Sequence, residues 1–175
     1  SMPRDTTSFS NCEDVYSTHL DLQWQVDFDR KVIVGSVKHT LQVVNPIQEV
    51  IFDTNGLNVS RAVIIDKTKV VLAEEDLKFR LDAHYGALGS KLTVMLPRGG
   101  SPGNTVLNIT IYYTTAPDAS AIQWADAEAT ADKKHPYVYT QCQAIHARSL
   151  LPCMDTPGMF TMLYSGNVIY NPKTF

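Results

Sequence analysis

The chain has 175 residues, 44% of them hydrophobic and 19% charged, enough apolar material for one domain with a substantial core and too much for a disordered ground state. Fifteen basic against eighteen acidic residues leave a formal net charge of -3 and no dense Lys/Arg block that could neutralise a row of phosphates, which argues against nucleic acid as a partner. No apolar run reaches the roughly 18 residues that span a bilayer, which argues against a membrane partner, and three irregularly spaced cysteines, Cys12, Cys142 and Cys153, make no disulfide framework and suit a reducing, cytoplasmic compartment.

Ser1-Met2 reads as a tag remnant and residues 1–17 as an extension ahead of a domain over 18–175. Thr18 to Phe28 alternates, with Leu20, Leu22, Trp24, Val26 and Phe28 on one face and His19, Asp21, Gln23, Gln25 and Asp27 on the other. Period two is the signature of a strand with one buried face. Asp29-Arg30 interrupts it, and Lys31 to Val44 resumes it through Ile33, Val37, Leu41 and Val43, so the two segments should pair as an antiparallel hairpin. Gly35 inside the second strand suggests a bulge.

Further strands are expected over Glu49 to Asp53, Asn58 to Asp66, Lys69 to Leu72, Leu77 to Leu81, Lys91 to Leu96 and Thr105 to Thr115. In the last, Leu107, Ile109, Ile111 and Tyr113 should point inward and Asn108 and Thr110 outward. Ala125 to Lys134 reads as a loop with one helical turn, closed by Pro136; Tyr137 to Gln143 and Phe160 to Tyr170 return to strand pattern. Many short strands divided by Gly, Pro and Asn imply an all-β fold, a mainly antiparallel, saddle-like, multi-sheet β-sandwich. Met159, Phe160, Met162 and Leu163 could fill its core or form an exposed apolar interface.

Self-sufficient chemistry is not evident. The five histidines are dispersed, no H-E-x-x-H occurs, and Cys142 and Cys153 lack a second pair, so neither a catalytic nor a structural metal site is expected. Cys142 with His146 could serve as a thiolate and its base, although an inert packed cysteine is the commoner outcome. Arg98-Gly99-Gly100-Ser101-Pro102-Gly103 has the glycines of a phosphate loop but no following helix.

The unusual stretch is Gln141 to Pro157, QCQAIHARSLLPCMDTP. On one strand, Gln141 and Gln143 would project their amides from the same face. Such amides can accept from an amine or peptide N–H and donate to a carbonyl, which suits a peptide backbone or free amine; they could equally be plain solvent-facing residues. Arg148 and Asp155 flank Leu150-Leu151-Pro152, and a turn there would let them form a bidentate pair clamping the loop.

This stretch resembles the corresponding segment of the leukotriene A-4 hydrolase and aminopeptidase B branch of the gluzincin aminopeptidases. Ala121-Ile122-Gln123-Trp124, His135-Pro136-Tyr137 and the hairpin opened by Leu20 to Phe28 resemble the family pattern upstream. The resemblance implies the non-catalytic N-terminal β domain of a multidomain zinc aminopeptidase that removes N-terminal residues from peptides. It further implies that Gln141, Gln143 and the backbone of Ala144 line the peptide cleft, that the zinc is held by a catalytic domain packed on this one, and that this chain alone binds no zinc. Met154 and Gly158 to Leu163 depart from the family's usual continuation. A free-standing β-sandwich interaction module using the Gln141 loop is the alternative, and an epoxide hydrolase activity beside the peptidase is conceivable for the branch.

Overall fold

The computed structural model describes residues 6–66, 72–156 and 163–170. Within them the strands are β1 (Val15–Asp27), β2 (Val32–Val43), β3 (Glu49–Thr54), β4 (Asn58–Asp66), β5 (Ala73–Asp76), β6 (Phe79–Leu81), β7 (Ser90–Met95), β8 (Thr105–Thr114), β9 (Ile122–Ala125), β10 (Tyr137–Thr140) and β11 (Leu163–Tyr170). They form a six-stranded sheet in the order β11-β1-β2-β8-β4-β5, a three-stranded sheet β3-β7-β6, and the β9-β10 hairpin. All pairings are antiparallel except β1 with β11.

The alternation read along β1, β2 and β8 is the one that builds the core. Leu20, Val26, Ile33, Val37, Leu41, Ile109, Ile111 and Tyr113 of the large sheet share a single cluster with Val50, Phe52, Leu92 and Val94 of the small one. Inside it, the indole N–H of Trp24 donates to the Tyr113 hydroxyl over 2.8 Å, so the polar tips of two large aromatics satisfy each other. At the hairpin end Phe28 meets Trp124 of β9 edge to face at 5.6 Å and ties the small hairpin to the large sheet.

Several local expectations need correction. Gly35 is no bulge: it pairs in register with Trp24 and Tyr113, and the shifts in register fall between Ser17 and His19 and between Val59 and Arg61. Its reason is close approach, since a Cβ there would stand 2.1 Å from the Gln23 carbonyl oxygen. Asn108 and Thr110 do take the outer face of β8 but are buried, because β8 is an interior strand; Thr110 lies level with Lys38 and Val63, and Asn108 takes a hydrogen bond from Thr40. β5, a run of Ala-Glu-Glu-Asp without apolar alternation, was not legible. The expected strand from Lys69 lies outside the described residues but for Leu72, as do Met159, Phe160, Met162 and the start of the last strand. The helical turn falls at Ala127–Ala129.

The described stretch from Ser8 to Ser17 is held in the fold. β1 begins at Val15, and the Asn11 side chain donates to the Glu49 carbonyl (3.0 Å) and accepts from the Ile51 N–H (2.9 Å), occupying the open edge of β3 as a strand would.

Candidate functional site

The stretch from Gln141 divides into an exposed half and a buried half. β10 ends at Thr140, three residues earlier than expected, so Gln141 and Gln143 do not share a strand face. The Gln141 N–H donates to the Ala121 carbonyl (2.9 Å), the chain then leaves the hairpin, and the Gln143 N–H turns back to the Gln141 side-chain oxygen at 3.4 Å. A 3-10 turn at Ala147–Ser149 returns the chain to the core. Gln141, Gln143 and Ala144 are all exposed in this turn, brought together by its curvature rather than by a pleat. Tyr137 and Tyr139 precede them on the outer face of β10, exposed, with ring centroids 6.1 Å apart. This aromatic pair was not singled out from sequence, where it merged with the strand pattern.

From Arg148 onward the same stretch is core. Arg148 is completely buried: its Nε donates to Asp155 Oδ2 (3.1 Å), its Nη2 to the Asp155 carbonyl (3.2 Å) and its Nη1 to the Leu88 carbonyl (2.9 Å). The Arg148 backbone N–H also reaches Asp155 Oδ2 (3.3 Å). The expected partnership therefore forms, but not as a two-oxygen fork on the carboxylate. The guanidinium spreads over three acceptors, which suits a buried cation better than one contact would.

Asp53 completes the cluster and was missed, because a lone Asp at the end of a strand carries no signal of its own. It is fully buried on β3, with its Oδ1 3.8 Å from Arg148 Nη1. Its carboxylate accepts from the Phe9 N–H (2.7 Å), the Ser8 hydroxyl (2.5 Å) and the Asp155 N–H (3.0 Å). Burial pushes the Asp155 carboxyl above its ordinary range, outweighing the opposing pull of Arg148.

His39 was one of five dispersed histidines in the sequence and proves to be the innermost. It faces Phe52 with ring centroids 4.7 Å apart, and its two nitrogens lie 2.8 Å from the Ser17 hydroxyl and 2.9 Å from the Pro152 carbonyl oxygen. It thus bridges both sheets to the loop. Complete burial drives its pKa down to about 4 against the lesser lift of the carbonyl, so the ring is neutral at pH 7.

No thiolate chemistry emerges. Cys142 is half-buried and its thiol is shifted up by burial and by the charge of Asp155; Cys153 is fully buried and shifted well above the usual thiol range. His146 directs its Nδ1 to the Ser120 hydroxyl at 2.7 Å. Among the described residues no group of three His, Cys, Asp or Glu is placed to hold a metal ion, and no helix is long and apolar enough to cross a membrane.

With this geometry established, comparison with known proteins places it. The family model for the peptidase M1 N-terminal domain matches residues 16–162. Leucine aminopeptidase 2 of Phaeosphaeria nodorum is 35% identical over 156 residues, 89% of this chain and 24% of that protein. Leukotriene A-4 hydrolase of Xenopus laevis is 34% identical over 162 residues, 92% of this chain and 25% of that protein. The solved structure of native leukotriene A4 hydrolase from Saccharomyces cerevisiae superposes with a TM-score of 0.83 at 29% identity, covering 97% of this chain and 26% of that one. The chain spans about a quarter of the length of the curated relatives it matches.

Proposed function

The chain belongs to the peptidase M1 N-terminal domain family, and from that premise we propose that it is the non-catalytic β domain of a zinc aminopeptidase that removes N-terminal residues from peptides. The observation that carries the reading is the split character of the 141–156 stretch: its second half is anchored in the core by Arg148 and Asp155, and its first half holds Gln141, Gln143 and Ala144 out in solvent. Two exposed amides suit a peptide's first residue, since they can accept from its amine and donate to its carbonyl. In this reading they form one wall of the substrate cleft, and a catalytic domain packed against the loop forms the other.

The described residues do not fit a metal, so zinc is assigned to the catalytic domain and contributes no step to the chemistry of this chain. The role left to this chain is orientation, and orientation alone can govern a large part of a barrier. The three unpaired cysteines support a reducing compartment, and we place the enzyme in the cytoplasm.

In the full-length enzyme, Gln141→Ala and Gln143→Ala should each lower kcat/KM for an aminoacyl amide by about 10- to 100-fold, the scale of a lost hydrogen bond to a charged group. Unchanged kcat/KM in both variants removes the assignment. The 175-residue chain alone, checked for contaminating peptidase, should neither hydrolyse an aminoacyl reporter nor retain zinc at one ion per molecule after metal loading and dialysis. Hydrolysis at a rate that follows its own concentration would contradict this.

A further inference from the structure

The turn that carries Gln141 and Gln143 is fastened to a single dipeptide. Ala121 is fully buried at the start of the β9-β10 hairpin, and both of its backbone polar groups are spent on the turn: its carbonyl takes the Gln141 N–H (2.9 Å) and its N–H donates to the Ser149 hydroxyl (2.9 Å). Ser149 is buried and donates onward to the His146 carbonyl at 2.8 Å. Ser120 adds a third fastening, its hydroxyl lying 2.7 Å from His146 Nδ1 and 3.4 Å from Ser149 Oγ. Residues 141, 146 and 149 are thus pinned to Ser120-Ala121, and Gln143 and Ala144 are held in the span between the pins.

We propose that Ser120, through His146, is a positioning residue for peptide substrate: it fixes the curvature of the turn and with it where the Gln143 amide and the Ala144 backbone stand. The proposal rests on the reading that these residues line the cleft. Its physical basis is that Gln143 and Ala144 stand exposed between the pins, with the half-buried Cys142 packed on the core before them and a 3.4 Å contact from the Gln143 N–H to the Gln141 side chain, so where the two exposed residues stand depends on how the ends of the span are held. Ser120 itself is exposed and outside the apolar core, so removing its hydroxyl releases the His146 pin while leaving the Ala121 pins and the core packing in place.

The test uses the full-length enzyme and an aminoacyl para-nitroanilide. Ser120→Ala should lower kcat/KM by about three- to tenfold, the scale of one neutral hydrogen bond, with most of the change in KM and the thermal midpoint unmoved. Ser120→Thr, which keeps the hydroxyl, should retain activity. Because much of the effect passes through the glutamines and the rest through the Ala144 backbone, Ser120→Ala placed on the Gln141→Ala/Gln143→Ala background should add a clearly smaller loss than it causes alone. Wild-type kcat/KM in Ser120→Ala, equal losses in the Ala and Thr variants, or an additive loss on the double background would each overturn the proposal while leaving the cleft assignment intact. Wild-type activity in the glutamine variants themselves would remove the cleft assignment and the proposal with it.

Discussion

Replacing Arg148 with alanine is expected to cost ~3–5 kcal/mol of folding free energy, the range measured when one member of a buried ion pair is removed. The guanidinium lies between Asp53 and Asp155 in the core. Its loss leaves two buried carboxylates facing each other without a cation, and orphans the Leu88 and Asp155 carbonyls that it satisfies. Asp53 would keep its donors from Phe9, Ser8 and Asp155, so Asp155, which burial already disfavours as an anion, is the group expected to take up a proton. For a domain of this size the thermal midpoint should fall by about 10 °C or more. Asp155→Asn should cost less, because an amide oxygen still accepts from Nε and the uncharged group relieves the burial penalty. Chemical denaturation of Arg148→Ala, Asp155→Ala and the double variant closes the cycle. A coupling under ~0.5 kcal/mol would show that the clamp is not a unit.

The second large effect is on pH dependence and belongs to His39. Its pKa is about 4 in the folded chain and about 6.5 when exposed in the unfolded one, so between those values the unfolded state binds more protons. Stability associated with the neutral ring is therefore complete above pH 6.5 and lost as pH falls toward 4, to a total of about 3 kcal/mol at 1.36 kcal/mol per unit. Asp155 works the other way: its raised folded pKa favours the folded state as pH falls, which flattens the acid limb in part. Comparing wild type with His39→Gln separates the two, since Asp155 is common to both. The wild type should lose stability more steeply than the variant between pH 6.5 and 4, and parallel curves would refute the assignment. His39→Gln should also be less stable at pH 7, because an amide cannot reproduce both the Phe52 contact and the reach from Ser17 to Pro152.

The large sheet was legible because β1, β2 and β8 are long and largely alternating in sequence, so the inward face of Leu20, Val37 or Ile109 follows from period two. What remained hidden depends on contacts distant in sequence. Asp53 and Arg148 are ninety-five residues apart and are brought together by the loop docking on β3, where Cys153 pairs with Asp53 as an added strand bridge with N···O distances of 2.7 and 3.1 Å. His39 reads like any inward strand residue until Pro152 is placed beside it. Gln141 and Gln143 stood out in the sequence as a pair, but their relation to each other was misjudged: a spacing of two implies a shared face only while the chain stays in the sheet, and the Gln141 N–H to Ala121 carbonyl bond is the last one it makes there. The Ser120 and Ser149 pins could not be read at all, since a serine's partners follow from the turn it helps to make.

β3 is an outer strand of its sheet, yet its outer side has few hydrogen-bonding groups to spare: Asn11 satisfies Glu49 and Ile51, Cys153 both donates to and accepts from Asp53, and the Arg148 carbonyl takes the N–H of Asn55. A strand finished in this way offers a neighbouring molecule little template for intermolecular pairing along this edge, the kind of edge from which strand-by-strand association would otherwise start. Asn11 acts in this sense as a guard on the β3 edge, and shortening the chain past it would bare the Glu49 carbonyl and the Ile51 N–H to pairing with a neighbouring chain.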